Sequence, residues 1–262
     1  MAHPNFISNA RTLVVGGSSG LGFAVASGAL ANGCKVHITS VTSEKLSAKI
    51  AQLQGLYPNA HVSGSVADLS NTETLQANLQ STLDAAVKET GGPLDHVAYT
   101  AGDSFPRNTL ADTTPATALS AFTVRYLGPL LIGKLVAANP GKYLTSAASS
   151  SITLTSGVLG YRPMKGVSPT IGVVGAVEVL TRGLAVDLAP IRVNVVCPGY
   201  VYTELVQGMT GGSEEGLAMI KAASLTKETP APESAAETYL FCMRSSLATG
   251  QIIKIESGGL LV

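Results

Sequence analysis

The sequence predicts an α/β protein built on a doubly wound parallel sheet, and three observations carry that prediction. Short β-branched runs alternate with longer helical segments along the whole chain. The first such run leads straight into the glycine-rich turn Gly16-Gly17-Ser18-Ser19-Gly20-Leu21-Gly22. The 262 residues are 45% hydrophobic, and no repeat, low-complexity tract or linker divides them. That is enough apolar material for one large core, so 1–262 reads as a single domain.

The elements follow in order. Residues 12–15 form a first strand expected to be buried on both faces, and 20–32 a helix that stops at Gly33. Strand 35–39, helix 43–54 capped by Ser43, strand 61–65 and helix 71–89 come next. Gly91-Gly92-Pro93 breaks the chain before strand 96–100. A long helix spans 115–138, and 139–150 reads as a loop opened by Asn139-Pro140-Gly141. Strand 151–155, helix 168–188, strand 191–196 and a closing strand 251–255 complete the sheet. The segment 203–232 fits no strand and is expected to form a helical lid over the ligand cleft.

Composition excludes several functions. Lys plus Arg is 17 and Asp plus Glu is 17, so the net charge is zero and no basic block stands out. Binding to nucleic acid or an anionic membrane through bulk charge is not expected. No apolar run reads as long enough to span a bilayer, because Arg125 and Lys134 flank or interrupt the most apolar stretch. Cys34, Cys197 and Cys242 are odd in number and far apart, which indicates neither disulfides nor a metal site. A reducing, cytoplasmic compartment fits, and the N-terminus lacks a signal-peptide pattern. Only 13% of residues are charged, well under the usual quarter. The expectation is a homo-oligomer, dimer or tetramer, acting on a small-molecule substrate.

The glycine-rich turn is the cofactor signal. Glycines allow a sharp turn and close backbone approach, and the following helix aims free N–H groups and its positive dipole end at a pyrophosphate. Gly16, Ser18, Ser19, Gly20, Leu21 and Gly22 are the predicted contacts, in a Rossmann-type arrangement. After the second strand an Asp or Glu would bind the ribose diol of NAD. This chain has Ser40-Val41-Thr42 there, with Lys45 beyond. No carboxylate repels a 2′-phosphate, so Ser40 and Thr42 favour NADPH/NADP+. Capping of the next helix is the competing role for both residues.

These motifs resemble the short-chain dehydrogenase/reductase superfamily over nearly the whole chain. Asp68-Leu69 resembles its adenine-contacting pair, and Thr100-Ala101-Gly102 its Asn-Ala-Gly turn with Thr for Asn. Arg192-Val193-Asn194-Val195-Val196 and Pro198-Gly199-Tyr200-Val201-Tyr202-Thr203 resemble its sixth strand and nicotinamide-side loop. The resemblance implies cofactor contacts at Asp68, Leu69, Ala101, Gly102, Pro198, Gly199 and Val201. It implies a carboxamide or pyrophosphate contact at Thr203.

The family's Asn, Ser, Tyr and Lys are where this sequence departs. Matching 176–182 to the helix that carries Tyr-x-x-x-Lys puts Thr170 at Tyr and Val174 at Lys. The Ser position falls on Gly157 beside Ser156, and the Asn position on Arg125. Thr is a far weaker acid than Tyr, whose ordinary pKa is about 10. A positioned general acid contributes about 10²–10⁴ in rate, so ordinary ketone reduction is not expected. Hydride transfer to an iminium needs no proton donor, because the cationic acceptor becomes a neutral amine. Arg125, a cation in an apolar helix, and Asp103, just past the fourth strand, are the candidate catalytic residues. A structural ion pair between them, or a surface Asp103 that caps a turn, is the competing reading. Tyr161 and Lys165, before the site helix, are within reach of substrate, with a plain surface loop as the competing reading, and Tyr202 is a spare proton donor by position only.

A narrower resemblance is to the fungal NADPH-dependent reductase/Diels–Alderase and oxidoreductase/Michaelase enzymes of prenylated indole alkaloid biosynthesis. It rests on 151–157, Gly175-Ala176-Val177-Glu178, 182–188, Thr100-Ala101-Gly102-Asp103 and Arg125-Tyr126. It implies secondary metabolism and reduction of an iminium, imine or activated alkene, with a stereoselective ring closure. Pro163-Met164-Lys165-Gly166-Val167 replaces the Pro-Asp-Pro-Gly-Trp of the Diels–Alderases, so the cycloaddition does not carry over on those residues. The alternatives are a non-redox cyclase or isomerase that keeps NADP(H) as a structural element, and a non-catalytic dinucleotide-binding protein. The intact 198–203 loop disfavours the last.

Overall fold

The computed structural model describes residues 4–102, 109–211 and 213–262. Asp103 lies outside the described residues. The strands are β1 (Arg11–Val15), β2 (Lys35–Ser40), β3 (Val62–Val66), β4 (His96–Tyr99), β5 (Ser151–Thr155), β6 (Arg192–Pro198) and β7 (Ile252–Ile255). They form one sheet in the order β3-β2-β1-β4-β5-β6-β7, and every pairing is parallel. The predicted doubly wound sheet is therefore present. Central β1 and β4 are buried almost throughout, as strands covered by helices on both faces must be. The chain leaves β1 toward β2 and β3, then returns to place β4 on the other side. That reversal opens a crevice at the carboxyl ends of β1 and β4.

Helices cover both faces. On one, α3 (Leu75–Thr90), α5 (Gly128–Ala138) and α6 (Gly172–Asp187) bury Leu79, Leu83, Ile132, Val136, Val177 and Leu184 in one cluster. On the other, α1 (Gly20–Ala31) and α9 (Pro232–Arg244) pack Val25 and Ala29 with Tyr239 and Leu240. The sequence reading left α9 unassigned, because its apolar positions alternate with Glu233 and Glu237 just after the presumed lid. α2 (Ser43–Leu56) joins this face through Leu46 and Leu53. Its cap is Thr42, whose Oγ1 accepts from the Lys45 N–H, rather than the expected Ser43. α3 starts at Leu75 instead of 71, since Asn71 is spent in a turn that accepts from the Glu73 N–H. α6 starts at Gly172 instead of 168, after turns in which the Thr170 N–H reaches the Val167 carbonyl.

The long helix is continuous but not regular. α4 (Pro115–Phe122) passes through a π-helical turn at Thr123–Leu127 into α5. Contrary to the sequence expectation, Pro115–Ala138 is long and apolar enough to cross a bilayer by length and composition. In the fold one side of it instead lies against the sheet, α3 and α6. The 139–150 loop is anchored by a Leu94–Leu144 bridge and by Arg192, which donates to the Ala148 and Ser149 carbonyls. Between β6 and α9, α7 (Glu204–Thr210) and α8 (Glu214–Ala222) occupy the segment expected to be helical.

Candidate active site

A cleft of about 820 Å³ opens at the carboxyl ends of the strands, and every described residue predicted from sequence as a cofactor or catalytic contact lines it. The first wall is the β1–α1 turn. Gly16 adopts φ +84°, and a Cβ there would lie 2.7 Å from the Ala101 backbone nitrogen. Glycine therefore lets the two loops meet. The Gly16 N–H donates to Thr39 Oγ1 at 2.9 Å, and Thr100 Oγ1 donates to the Val15 carbonyl at 2.9 Å. The Thr that replaces the family's Asn thus ties β4 to β1.

The turn ends in a helix start that suits an anion. α1 has no side-chain cap on its first N–H groups, whereas α2, α7 and α8 are capped by Thr42, Thr203 and Ser213. Uncapped N–H groups and the dipole favour a phosphate there. At the end of β2, Ser40 is 4% exposed and its Oγ has no hydrogen-bond partner among the described residues. Thr42 is divided between roles: its oxygen caps α2, which leaves its proton to donate. Lys45 lines the cleft beside them. Asp68 is exposed, and bonds from the Ser70 hydroxyl and N–H hold its carboxyl below the usual range. Leu69 beside it is buried. This wall fits an NADP-type dinucleotide: an open anion seat, an orphaned hydroxyl and an amine at the adenosine end.

The opposite end holds Arg125 and borders the family's catalytic positions. Arg125 sits in the π-helical turn and lines the cleft. Its guanidinium lies so close to Gly102 that a Cβ there would be 2.6 Å away. Thr170 is 1% exposed, with its hydroxyl directed at the Val167 carbonyl, and Val174 is 5% exposed. Neither lines the cleft. The wall is made instead by Thr155, Ser156, Gly157, Val158 and Met164 on one side, and by Pro198, Gly199, Tyr200, Val201 and Thr203 on the other. Tyr161 and Lys165, weighed for reach to substrate, and Tyr202, weighed as a proton donor by position, do not line it.

Sequence reasoning missed Glu178. Its carboxylate, 9% exposed, accepts from Ser156 Oγ at 3.2 Å, Tyr161 Oη at 2.7 Å and Cys197 Sγ at 3.4 Å. The bond to Glu178 pushes the Tyr161 phenol up to about 12. Burial, then Glu178, pushes the Cys197 thiol up to about 12. The periodicity of α6 held the signal: 174, 177, 178 and 181 share its buried face, and a carboxylate in that apolar stripe needs a reason.

Comparison with known proteins agrees with this geometry. Residues 3–262 match the family model described as an SDR-like Rossmann domain. The short-chain dehydrogenase/reductase ATR9 of Stachybotrys chlorohalonatus is 35% identical over 95% of this chain and 96% of its own. The short-chain dehydrogenase/reductase malC of Malbranchea aurantiaca is 34% identical over 96% and 94%. The solved structure of the MalC reductase/Diels–Alderase superimposes with a TM-score of 0.92 at 33% identity, covering 98% of this chain and 99% of the other. A short-chain dehydrogenase from Burkholderia cenocepacia, solved in complex with NADP, shares the fold with a TM-score of 0.83 at 24% identity, over 97% and 98% of the two chains. The chain belongs to the short-chain dehydrogenase/reductase family.

Proposed function

We propose that this protein is an NADPH-dependent oxidoreductase of secondary metabolism that reduces an iminium, imine or activated alkene. One observation carries the reading. The cleft joins a dinucleotide-type wall to a reaction end from which the family's Tyr and Lys positions, here Thr170 and Val174, are buried and withdrawn. When bound, NADPH supplies a hydride. A reaction wall without a Tyr–Lys acid suits an acceptor that needs no proton from the protein: an iminium needs none, a neutral imine is protonated to the iminium beforehand, and the enolate from an activated alkene takes its proton from water. In an iminium the carbon gains the C–H bond while nitrogen keeps the former π pair, and a neutral amine results.

The chain's own residues position the reactants. The α1 N-terminus and Gly16–Gly22 hold the pyrophosphate, and Ser40, Thr42 and Lys45 receive the 2′-phosphate. Asp68 and Leu69 border the adenine, while Ala101, Gly102, Pro198, Gly199, Val201 and Thr203 border the nicotinamide half. Arg125 binds a substrate carbonyl or amide oxygen, with Asp103 as its proposed partner in catalysis. α7 and α8 act as the lid within 203–232. A stereoselective ring closure, by cycloaddition or Michael-type addition, is a second activity favoured by the likeness to the MalC reductase/Diels–Alderase. Exposed Leu119, Val179, Val186 and Leu247 support a homodimer or homotetramer. Three buried free cysteines suit a cytoplasmic setting.

The test is a labelled-cofactor assay over a cyclic iminium, an enone and a simple ketone. Deuterium from 4-deuterated NADPH is expected in the iminium or enone product, with poor turnover of the ketone. Arg125→Ala is expected to lower turnover about 10²-fold, as loss of an electrostatic contact to developing charge does. Unlabelled product formed at full rate would mean a cyclase, and full activity in the variant would remove Arg125 from the mechanism.

A further inference from the structure

The Glu178 network has an orientation that none of the roles above uses. Ser156 is fixed in the sheet by its N–H, which donates to the Val196 carbonyl at 2.9 Å, and it lines the cleft beside Gly157. Behind it, inside the protein, Ser156 Oγ faces two oxygen acceptors, the Glu178 carboxylate at 3.2 Å and the Val174 carbonyl at 3.1 Å, with the Cys197 thiol beside them, whose own proton goes to Glu178. A hydroxyl has one proton. With both inner neighbours acceptors, that proton points inward. Any hydrogen bond that Ser156 Oγ makes to a ligand in the cleft it therefore makes as an acceptor.

Charge sharpens this orientation. Glu178 accepts from three neutral donors, Ser156, Tyr161 and Cys197. Among the described residues no Lys or Arg forms an ion pair with it. The nearby Lys254 ammonium lies over the Tyr161 ring, 4.2 Å from its centroid. Arg182 and Lys254 act on the network from beyond ion-pair distance, so the negative charge is held chiefly by hydrogen bonds. In a half-buried, low-dielectric wall it is felt along the Ser156 hydroxyl.

We infer that Ser156, polarised by the buried carboxylate of Glu178, is an acceptor site that selects substrates carrying a positively charged N–H, a protonated imine or ammonium. The inference rests on the reading that this end of the cleft receives substrate. It also complements Arg125, which lines the same cleft: one pole takes an oxygen acceptor, the other a cationic donor. Glu178 is the positioning residue and acts through Ser156.

The experiment measures equilibrium binding of redox-inert probes by ligand-observed NMR, with and without NADPH. The probes are benzylammonium, the neutral benzyl alcohol and the N–H-free cation benzyltrimethylammonium. Benzylammonium is expected to bind about tenfold tighter than either of the others, the size of one charge-assisted hydrogen bond. Glu178→Gln keeps the shape and removes the charge, so the preference should fall toward one. Ser156→Ala should do the same. Tyr161→Phe should leave the preference in place, because the carboxylate and the serine remain. Equal binding of all three probes to the unaltered protein overturns the inference, and so does a preference that survives Ser156→Ala. If Glu178→Gln does not fold, as judged by circular dichroism, the Ser156→Ala result decides alone. Because no turnover is read, cation preference without deuterium transfer would sink the reductase reading and leave this one standing.

Discussion

At the end of β2 a buried hydroxyl sits where the described residues give it nothing to bond. Ser40 Oγ lacks a partner among the described residues, and the side chain lines the adenosine end of the cleft. An unsatisfied buried polar atom costs about 1–3 kcal/mol; Thr12, Ser150 and Thr153 share that state away from the cleft, whereas at Ser40 the proposed 2′-phosphate would supply the missing partner. Ser40→Ala should therefore leave stability unchanged or raise it. It should weaken NADPH about tenfold, with NADH unaffected, the expected loss of one hydrogen bond to a charged group. Fluorescence titration with both cofactors, beside thermal melts, checks the pair of effects; a parallel loss for NADPH and NADH would remove Ser40 from 2′-phosphate recognition. At this scale the sequence was most legible on the cofactor wall, because Gly16–Gly22 and Ser40–Thr42 are contiguous with the strands that place them. On the reaction wall the sequence showed Arg125 and the 198–203 loop, and the catalytic pattern only as a loss at Thr170 and Val174. Glu178 stayed hidden because its partners Ser156 and Cys197 lie 22 and 19 positions away, on strands whose adjacency only the sheet supplies.

Among the elements, the π-helical turn Thr123–Leu127 does the most to shape the reaction wall. A regular helix was the sequence expectation, and propensity gives no sign of the extra residue in the turn. What sustains the turn is tertiary: Tyr99 Oη donates to the Val124 carbonyl at 2.6 Å. Such turns recur at functional sites, and this one contains Arg125. Gly128 follows it, and a Cβ there would overlap the Tyr99 hydroxyl. Gly128→Ala should cost about 1–3 kcal/mol, the range for overpacking a core. It should also raise KM by shifting Arg125 off Gly102. Tyr99→Phe gives the new methyl room, so the double variant should lose less than the sum of the two singles. Chemical denaturation of the four proteins tests this, and strict additivity would mean that the two residues do not meet. Arg192 is the contrasting case. The sequence offered it as a family motif, and the structure shows a stabilising staple: buried, it donates to carbonyls of Ala148, Ser149, Cys242, Met243 and Ala248.

For the whole molecule, the sheet order was implicit in the alternation of strands and helices, since right-handed crossovers leave few ways to wind a parallel sheet. What alternation does not reveal is which polar groups the sheet encloses. Two histidines are sealed within it. His37 on β2 bonds Ser63 and Ser65 of β3 at 2.9 and 3.1 Å, and His96 on β4 bonds Ser151 of β5 at 3.0 Å. Burial is the main cause that lowers both imidazoles from 6.5 to about 4. Each is therefore neutral in the folded protein at pH 5, while its unfolded counterpart is protonated. Protons then favour the unfolded state. The stability tied to these groups is complete above pH 6.5 and declines as pH falls toward 4. At pH 5 the loss is about 2 kcal/mol for each histidine, since one pKa unit corresponds to about 1.4 kcal/mol. Urea unfolding at pH 7.5 and pH 5 should show a drop of about 4 kcal/mol for the pair, at unchanged m-value. His37→Gln, which keeps hydrogen-bonding ends for the two serines but does not titrate, should roughly halve that drop even if it lowers stability at both pH values. Asp95, whose carboxyl is held below its usual range by Arg11, adds its own loss only below about pH 4 and so falls outside this window. A pH-independent midpoint between 7.5 and 5 would show that the sheet opens enough for its histidines to take up protons without unfolding.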